Sequence, residues 1–590
     1  CDSTATLNLT ILDSYIDTLI IIACEYYVWD GNTINSSGFY TNIYTTTVSG
    51  CDSTVNLYLT ITTCLGCTDS LASNYNPFST TDDGSCLYSS FIFGCTDSTS
   101  LNYDPLATVD DSSCCYNSGQ LWSQIGQTIN GDSLGDQYGH SVSLSSNGNI
   151  IAIGSPYSDR NGNWSGHVQV FENIGGSWFK IGQDIDAEAA GDRSGFSVSL
   201  NNSGNILAIG APNNTGNGIN VGHVRIYENI SGSWIQIGQD IDGEGYNDHS
   251  GCSVSLSSDG NTVAIGAKYN SENGTYSGHA RIFENIGGSW SQIGQDIDGE
   301  AVNDQSGWSV SLSSDGSTVA IGAIGNDGNG TNAGHVRIYQ NIGGNWSQIG
   351  QDIDGDSLSL SGKSISMDYS GNILAIGAPR SSISDSLSGL VRIYENLAGN
   401  FVQIGQDILG EYADDRSGHS VSLNSNGNIL AIGAYGNDGE SIYNGYPTYN
   451  IGHTRIFYNN NGFWTQIGED IDGLTSNESS GFSVSLSDFG NIVAIGTINS
   501  NVNGFQNGQV RLFELDSSNF VACSELGCLD PLALNFDPYA TVDDSSCVYP
   551  NYGCIDSLAI NYDPLSNIDD GSCNYCTNDT SYTNITSCDS

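Results

Sequence analysis

The stretch WSQIGQDIDGE, residues 290–300, returns as WIQIGQDIDGE at 234–244 and as WSQIGQDIDGD at 346–356. Aligned on the leading aromatic, the copies start at Trp122, Trp178, Trp234, Trp290, Trp346, Phe401 and Trp464, with four steps of 56 followed by 55 and 63. A sustained period of this size is the mark of a propeller or a solenoid. One period reads SGWSVSLSSDGSTVAIGA (306–323), a Gly- and Asn-rich loop, then GHVRIYQNIGGNWSQIGQDI (334–353). The runs SVSL, VAIG and VRIY alternate with period two, and Asp-Gly or Gly-Gly pairs between runs are hairpin signals. Each period therefore predicts four antiparallel strands, the fourth being WSQIGQ, and the residues after it a loop. The first strand occurs seven times, at Ser141, Ser197, Ser253, Ser309, Ser364, Ser420 and Ser483. The expected architecture is all-β, with a seven-bladed β-propeller over residues 118–524. The repeats begin with a fourth strand at 121–127 and end with a third strand at 509–514, so the first segment is expected to complete the last blade and close the ring. The segment NFVAC, 519–523, competes for that closing position.

Composition fits this reading. Gly accounts for 74 of 590 residues, and short Val, Ile, Leu and Tyr runs are separated by Ser, Thr and Asn. Against 65 Asp and Glu stand only 13 Lys and Arg, a formal charge of −52. Such a surface repels phosphate backbones and anionic membranes, so no nucleic acid is expected as partner. The longest apolar run, LIIIAC at 19–24, is far shorter than a bilayer span, and no membrane insertion is expected. The opening residues lack the basic head and cleavage site of a leader. The closing Cys588, Asp589 and Ser590 repeat the opening Cys1, Asp2 and Ser3, and CDSTVNLYLTI at 51–61 echoes CDSTATLNLTI at 1–11. The expectation is an excerpt of a larger tandem array.

Within the propeller, the loops joining second to third strands vary most, as in SPYSDRNGNWSG from 155 and AYGNDGESIYNGYPTYNIG from 434. They share a face with the loops joining one period to the next, and that face is the expected recognition surface. Carboxylates recur in the inter-period loops, as Asp240, Asp242, Glu244 and Asp248, or Asp296, Asp298, Glu300 and Asp304; turn and capping chemistry accounts for them better than a metal loop. His167, His223, His279, His335 and His453 hold one repeat position, so they read as part of the repeat. A catalytic residue is expected once, beside a specific partner. His140 and His419 stand instead at the residue before the first strand, which Phe196, Cys252, Trp308, Lys363 and Phe482 occupy in other periods; His249 also falls outside the pattern. With no GxSxG, no HExxH and no unique carboxylate pair, the expected protein is not an enzyme.

The remaining cysteines, out of 17, cluster outside the ring. Four segments share a template: GCTDSLASNYNPFSTTDDGSC (66–86), GCTDSTSLNYDPLATVDDSSC (94–114), GCLDPLALNFDPYATVDDSSC (527–547) and GCIDSLAINYDPLSNIDDGSC (553–573). They define Cys/Asp-rich modules at 65–88, 93–116, 526–549 and 552–576. Modules this small need staples, so Cys67–Cys86, Cys95–Cys114, Cys528–Cys547 and Cys554–Cys573 are expected disulfides, formed in an extracellular setting. Oxygen donors recur in each: Asp69, Asn74, Asn76, Asp82 and Asp83; Asp97, Asn102, Asp104, Asp110 and Asp111; Asp530, Asn535, Asp537, Asp543 and Asp544; Asp556, Asn561, Asp563, Asp569 and Asp570. Calcium and plain Asx-turn chemistry both account for these sets, and no organic cofactor is expected. Cys115, just before the ring, and Cys523, just after it, are expected to clamp it shut. Cys252 is expected to be a buried free thiol. Residues 1–64 predict an Ig-like sandwich module with a Cys24–Cys51 bridge, and 577–590 the start of another module; the partners of Cys1, Cys64, Cys576 and Cys588 stay open.

The segment SGFSVSLNNSGNILAIGAP at 194–212 resembles the FG-GAP repeats of integrin-α-type propellers, with its aromatic-Ser-Val opening and GAP ending. It departs from that family in the hairpin NNSGN or SSDGN, where an acidic calcium loop would stand. The CDSTVNLYLTI text and the Cys-Asp template resemble giant tandem-repeat surface adhesins, and grappling-hook filament proteins, of gliding marine bacteria that use type IX secretion. That resemblance implies secretion, a fibre built with other copies of the chain, and adhesion to a cell-surface or glycan target. It also implies O-glycans at Asp-Ser/Thr motifs, here Ser3, Thr18, Ser53, Ser70, Ser98, Ser133, Ser357, Ser386 and Ser557. The expected function is a non-enzymatic adhesive segment; a purely structural filament subunit and a glycan-processing propeller are the alternatives.

Overall fold

The computed structural model describes residues 16–24, 27–45, 52–62, 121–439, 449–460, 462–501 and 506–516, with short strand pairs elsewhere. The chain divides into two compact units, residues 1–96 with 104–112, and residues 97–103 with 113–590. Among the described residues the structure is all-β, and no helix is long and apolar enough to cross a membrane.

In the larger unit the repeats fold into seven antiparallel sheets whose innermost strands touch in succession, the seventh against the first. The ring is a β-propeller. The third sheet is representative, with strands Ser253–Leu256, Thr262–Ala267, His279–Ile286 and Ser289–Gln292 in order from the axis outward. The seventh sheet takes Ser480–Leu486, Ile492–Thr497 and Gln509–Leu515 from the end of the ring and Trp122–Gln124 from its beginning, with Leu515 opposite Trp122. Closure therefore runs as the repeat offset predicts. The competing segment 519–523 lies outside the described residues.

One expectation is corrected. The residues after WSQIGQ do not leave the sheet as a loop: Ile297–Asp298 pairs again with the third strand, Asp298 opposite His279. Gly294, at φ +70°, interrupts the outer edge, and Gln295 beside it turns its side chain to the next sheet. The buried Ile297 then brings the edge back.

No sheet has a core to itself. Each hydrophobic cluster lies between successive sheets: Ala208, Val224, Ile226 and Ile241 of the second pack against Val254, Val263, Ile265 and Trp290 of the third. Polar contacts fix the same junction. Ser197 Oγ donates to Gly251 O (2.9 Å), and Ser199 Oγ accepts from Leu256 N (3.0 Å). The Trp290 indole donates to Ile237 O (3.0 Å), while Gln239 Nε2 donates to Trp290 O (2.8 Å). The serine pair recurs around the ring and closes it, through Ser483 Oγ to Gly139 O (2.8 Å) and Leu144 N to Ser485 Oγ (3.1 Å). The glutamine clamp recurs at Gln127, Gln183, Gln295 and Gln406. The repeated text is thus written by the junction: Trp docks backward, and the last Gln of QIGQ holds the following Trp.

In the smaller unit, Ile16–Cys24, Asp52–Thr62 and Gly38–Thr45 form a three-stranded sheet with the long strand central, burying Val55, Leu57 and Leu59. Tyr27–Trp29 and Asn32–Ile34 form a hairpin. Three of the Cys/Asp-rich segments repeat one parallel pairing: Phe93–Gly94 with Val109–Asp110, Leu526–Gly527 with Val542–Asp543, and Tyr552–Gly553 with Ile568–Asp569. The expected disulfides and the side chains of the proposed calcium sets lie outside the described residues. Cys252 is buried and free, its thiol donating toward Gly266 O and Gly307 O at 3.4 Å.

The close approach of sheets at the axis demands glycine at one position. A Cβ on Gly266 would lie 2.0 Å from Gly307 O and 2.3 Å from Ser253 Oγ. Gly266→Ala is expected to cost about 3 kcal/mol. The check is the urea midpoint followed by tryptophan fluorescence, and an unchanged midpoint contradicts the account of the junction.

Candidate binding site at the axial mouth

The residue before each first strand is the one axial position where the repeat gives way. His140, Phe196, Cys252, Trp308, Lys363, His419 and Phe482 stand there, and together they line the mouth of the central channel. The strand that follows holds its serines in the inter-sheet bonds, so the backbone at this position is fixed while the side chain is free to vary. The loops leaving the second strands open on the same face. Asn161 Nδ2 donates to Ala187 O (2.8 Å) and Gly191 N to Asn163 O (2.9 Å), tying the two loop families together.

Aromatic rings and cations alternate around this mouth. Lys268 Nζ lies 3.9 Å from the Trp308 ring centroid and Lys363 Nζ 4.5 Å from the same ring. Arg193 sits over Tyr157 (5.1 Å) and Arg416 over Tyr435 (5.3 Å). Phe482 packs between His140 and His419, with centroids 5.1 and 4.7 Å away.

The electrostatics follow from crowding like charges in a desolvated space. Burial, then the ammonium of Lys268, lowers Lys363 to about 7. Burial also lowers Lys268, with Arg193 adding to the effect. His140 is lowered to about 4 by burial and by Lys363, and His419 well below its ordinary value for the same two reasons, so both imidazoles are neutral at pH 7. The Cys252 thiol is pushed up by burial, which leaves it protonated.

The carboxylates nearest this face are occupied. Asp192, Asp248, Asp304 and Asp415 accept from the backbone of their own loops, at Ala189, Gly245, Ala301 and Tyr412, over 2.6–2.9 Å. Asn270 and Asn437 bind Asp248 and Asp415 as well, at 3.2 Å. These bonds are the capping role expected from the sequence. Ser133, Ser357 and Ser386, motif serines of the ring, are exposed, as is Thr18; the other motif residues have no described side chain.

The repeated histidines gather elsewhere, at the junctions. Glu188, His223 and Asp240 meet there, as do Glu244, His279 and Asp296; Glu300, His335 and Asp352; and Glu411, His453 and Asp470. Each group offers three ligand types to a cation, yet each already holds a guanidinium. Arg281 Nη1 lies 3.2 Å from Glu244 and Arg337 Nη1 3.5 Å from Glu300. The same arginines donate to carbonyls of the preceding sheet, Arg281 to Asp242 O and Arg337 to Asp298 O, both at 2.6 Å. In the first sheet Gln169 stands where the others have Arg, and Arg160 reaches in from a loop to bind Asp184 (2.6 Å) and Asp186 (3.1 Å). At each of these sites the chain itself supplies one positive charge beside the two carboxylates.

The sequence expectation puts recognition on the face where this mouth opens, without singling out Lys268, Lys363, Arg193 and Arg416. The signal in the sequence is the variable residue before SVSL.

Burial lowers His279 to about 4, against an ordinary 6.5, with Arg281 adding to the effect and Asp296 and Asp248 opposing it. A depressed histidine favours the folded state above pH 6.5, and that support is lost as pH falls toward 4. His279→Leu, the residue at the equivalent Leu390, is expected to make stability fall less between pH 6.5 and 4.5. Urea midpoints at the two pH values check this, and an unchanged slope contradicts it.

No curated protein matches the chain. Among solved structures it is similar to a periplasmic gluconolactonase of Pseudomonas aeruginosa, at 16% identity and TM-score 0.42, covering 63% of this chain and 93% of that one. It is also similar to the WD40 repeats of RRP9, at 10% identity and TM-score 0.41, covering 67% and 99%. Residues 122–171 and 297–339 match the FG-GAP repeat family, so FG-GAP repeats lie within the propeller.

Proposed function

We propose that the chain is a non-enzymatic, extracellular binding segment of a larger fibre, and that its seven-bladed propeller presents the axial mouth and the surrounding loops to a cell-surface or glycan target. One observation carries the reading. Around an axis where serines and glycines recur in every sheet, the ring of positions before the first strands changes its chemistry from sheet to sheet, and it opens on the face that also carries the variable loops. Loops and positions released from packing on a rigid scaffold are where recognition resides. The Cys/Asp-rich modules serve as disulfide-linked stalk, with calcium as their optional staple, and tandem heads would multiply weak contacts into avidity.

A structural filament subunit is the second reading. The hairpins between third and fourth strands expose an apolar residue in five sheets, Ile174, Ile230, Ile286, Ile342 and Leu397, a ring of contacts suited to packing between copies. A glycosidase would need two carboxylates facing one bond. The nearest candidates here are held by their own loops.

The test is binding of the full chain to whole cells and a glycan panel, beside a variant with residues 435–451 replaced by 268–277. Saturable binding that weakens about tenfold on exchange supports the reading. Self-association without cell or glycan binding transfers the propeller to the filament wall.

A further inference from the structure

The chain has 13 Lys and Arg in 590 residues, and their placement is uneven. Seven arginines serve the junctions between sheets: Arg160, Arg225, Arg281, Arg337, Arg392, Arg455 and Arg511 each bind a carboxylate or a carbonyl there. Lys180 pairs with Asp184 at 2.9 Å. The other five are Arg193, Lys268, Lys363, Arg380 and Arg416.

Four of these gather around the axial mouth: Lys363 lines it with Lys268 beside it, and Arg193 and Arg416 stack on Tyr157 and Tyr435 next to His140 and His419, while Arg380 is exposed. Lys268 and Lys363 share the Trp308 ring. Lys268 acts on Arg193's side of the mouth, over Phe196 and Tyr269 at 5.5 and 5.3 Å, and Arg380 lies close enough to oppose the charge on Lys363. None of the five has a carboxylate within 4 Å among the described residues. In a protein of charge −52, carboxylates were abundant enough to neutralise this cluster many times over. Instead the acidic side chains nearest it are turned into their own loops. The half-buried ammonium groups of Lys268 and Lys363 are costly to hold without a counter-charge, and aromatic faces offset only part of that cost. An anion entering the mouth would supply the missing partner.

We propose that the axial mouth binds a single acidic sugar residue, its carboxylate taken by Lys268 and Lys363 and its ring facing the aromatic side chains Phe196, Trp308 and Phe482 set around the mouth. This rests on the binding reading above and names the ligand class for that site. The neutral imidazoles of His140 and His419 are suited to hydroxyl groups, because a neutral ring offers both a donor and an acceptor. The acidic surface outside the mouth limits the ligand further. A long polyanion would meet repulsion along most of its length, whereas one terminal acid group meets only the cationic centre.

Titration calorimetry of the full chain with glucuronate, glucose, inorganic sulfate and a polyglucuronate at one ionic strength tests the proposal. The expected order is glucuronate at least tenfold tighter than glucose or sulfate, with polyglucuronate no tighter per chain end. Lys363→Met and Lys268→Met should each weaken glucuronate about tenfold, and Trp308→Ala should weaken it while leaving any sulfate binding in place. Thermal melts identify a variant that fails to fold, and either lysine variant alone suffices. Equal affinity for glucose and glucuronate overturns the proposal, as does glucuronate binding untouched by both lysine substitutions. Sulfate matching glucuronate reduces the mouth to a simple anion site and also overturns it. Cell binding that persists in Lys363→Met but disappears on the loop exchange would sink this ligand while leaving the binding role intact.

Discussion

Each sheet of the ring has two apolar faces and can bury neither alone. The junction between successive sheets is therefore the unit that must be satisfied, and it must be satisfied seven times with the seventh sheet meeting the first. Its demands are specific. Serines bridge neighbouring backbones near the axis, glycine lets those backbones approach, and tryptophan and glutamine interlock near the rim. A residue that serves the junction is repeated because the junction is repeated. One that does not is released, and the released positions collect where the strands begin.

Charge is distributed by the same logic. Arg225, Arg281, Arg337, Arg455 and Arg511 each stand at the polar end of a junction and join a third strand to a carbonyl of the preceding sheet. The first sheet shows how strictly the charge is required, since Gln169 replaces the usual arginine and Arg160 arrives from a different loop to stand in the same electrostatic place. The fifth sheet keeps its arginine but turns it, so that Arg392 grips Asp407 through two nitrogens at 3.0 Å and Asp356 at 2.9 Å. The positive charges at the mouth fall outside this system, which is what makes their convergence informative.

Much of the ring could be read from the chain because its signals are local and recur. The period of the Trp residues, the alternation in SVSL and VAIG, and the offset that makes residues 121–127 complete the final sheet all lie within one repeat or between its ends. The double pairing of the outer edge could not be read, because Gln295 and Ile297 take opposite directions only once the next sheet is in place. The mouth was hidden for a related reason. Phe196, Lys268, Trp308 and Lys363 are separated by 40 residues or more and become neighbours only once successive sheets pack around the axis. Histidine stands out in a sequence through its catalytic associations, whereas the lysines that set the mouth's character, Lys268 and Lys363, are single letters in two different repeats.

The way the ring is fastened also decides how it would respond to force. The chain enters at Trp122 and leaves at Leu515, opposite members of one antiparallel ladder, with Asp516 N donating to Leu121 O at 2.8 Å. A pull on the flanking segments acts from the same end of that ladder and loads its hydrogen bonds one after another, the peeling geometry, instead of shearing them together. Tension would thus reach the seventh sheet first, while the other six lie off the direct line of load. The outer strand that completes the circle doubles as a mechanical latch, and the stretch of chain coiled behind it is stored length that tension on the flanking segments would release.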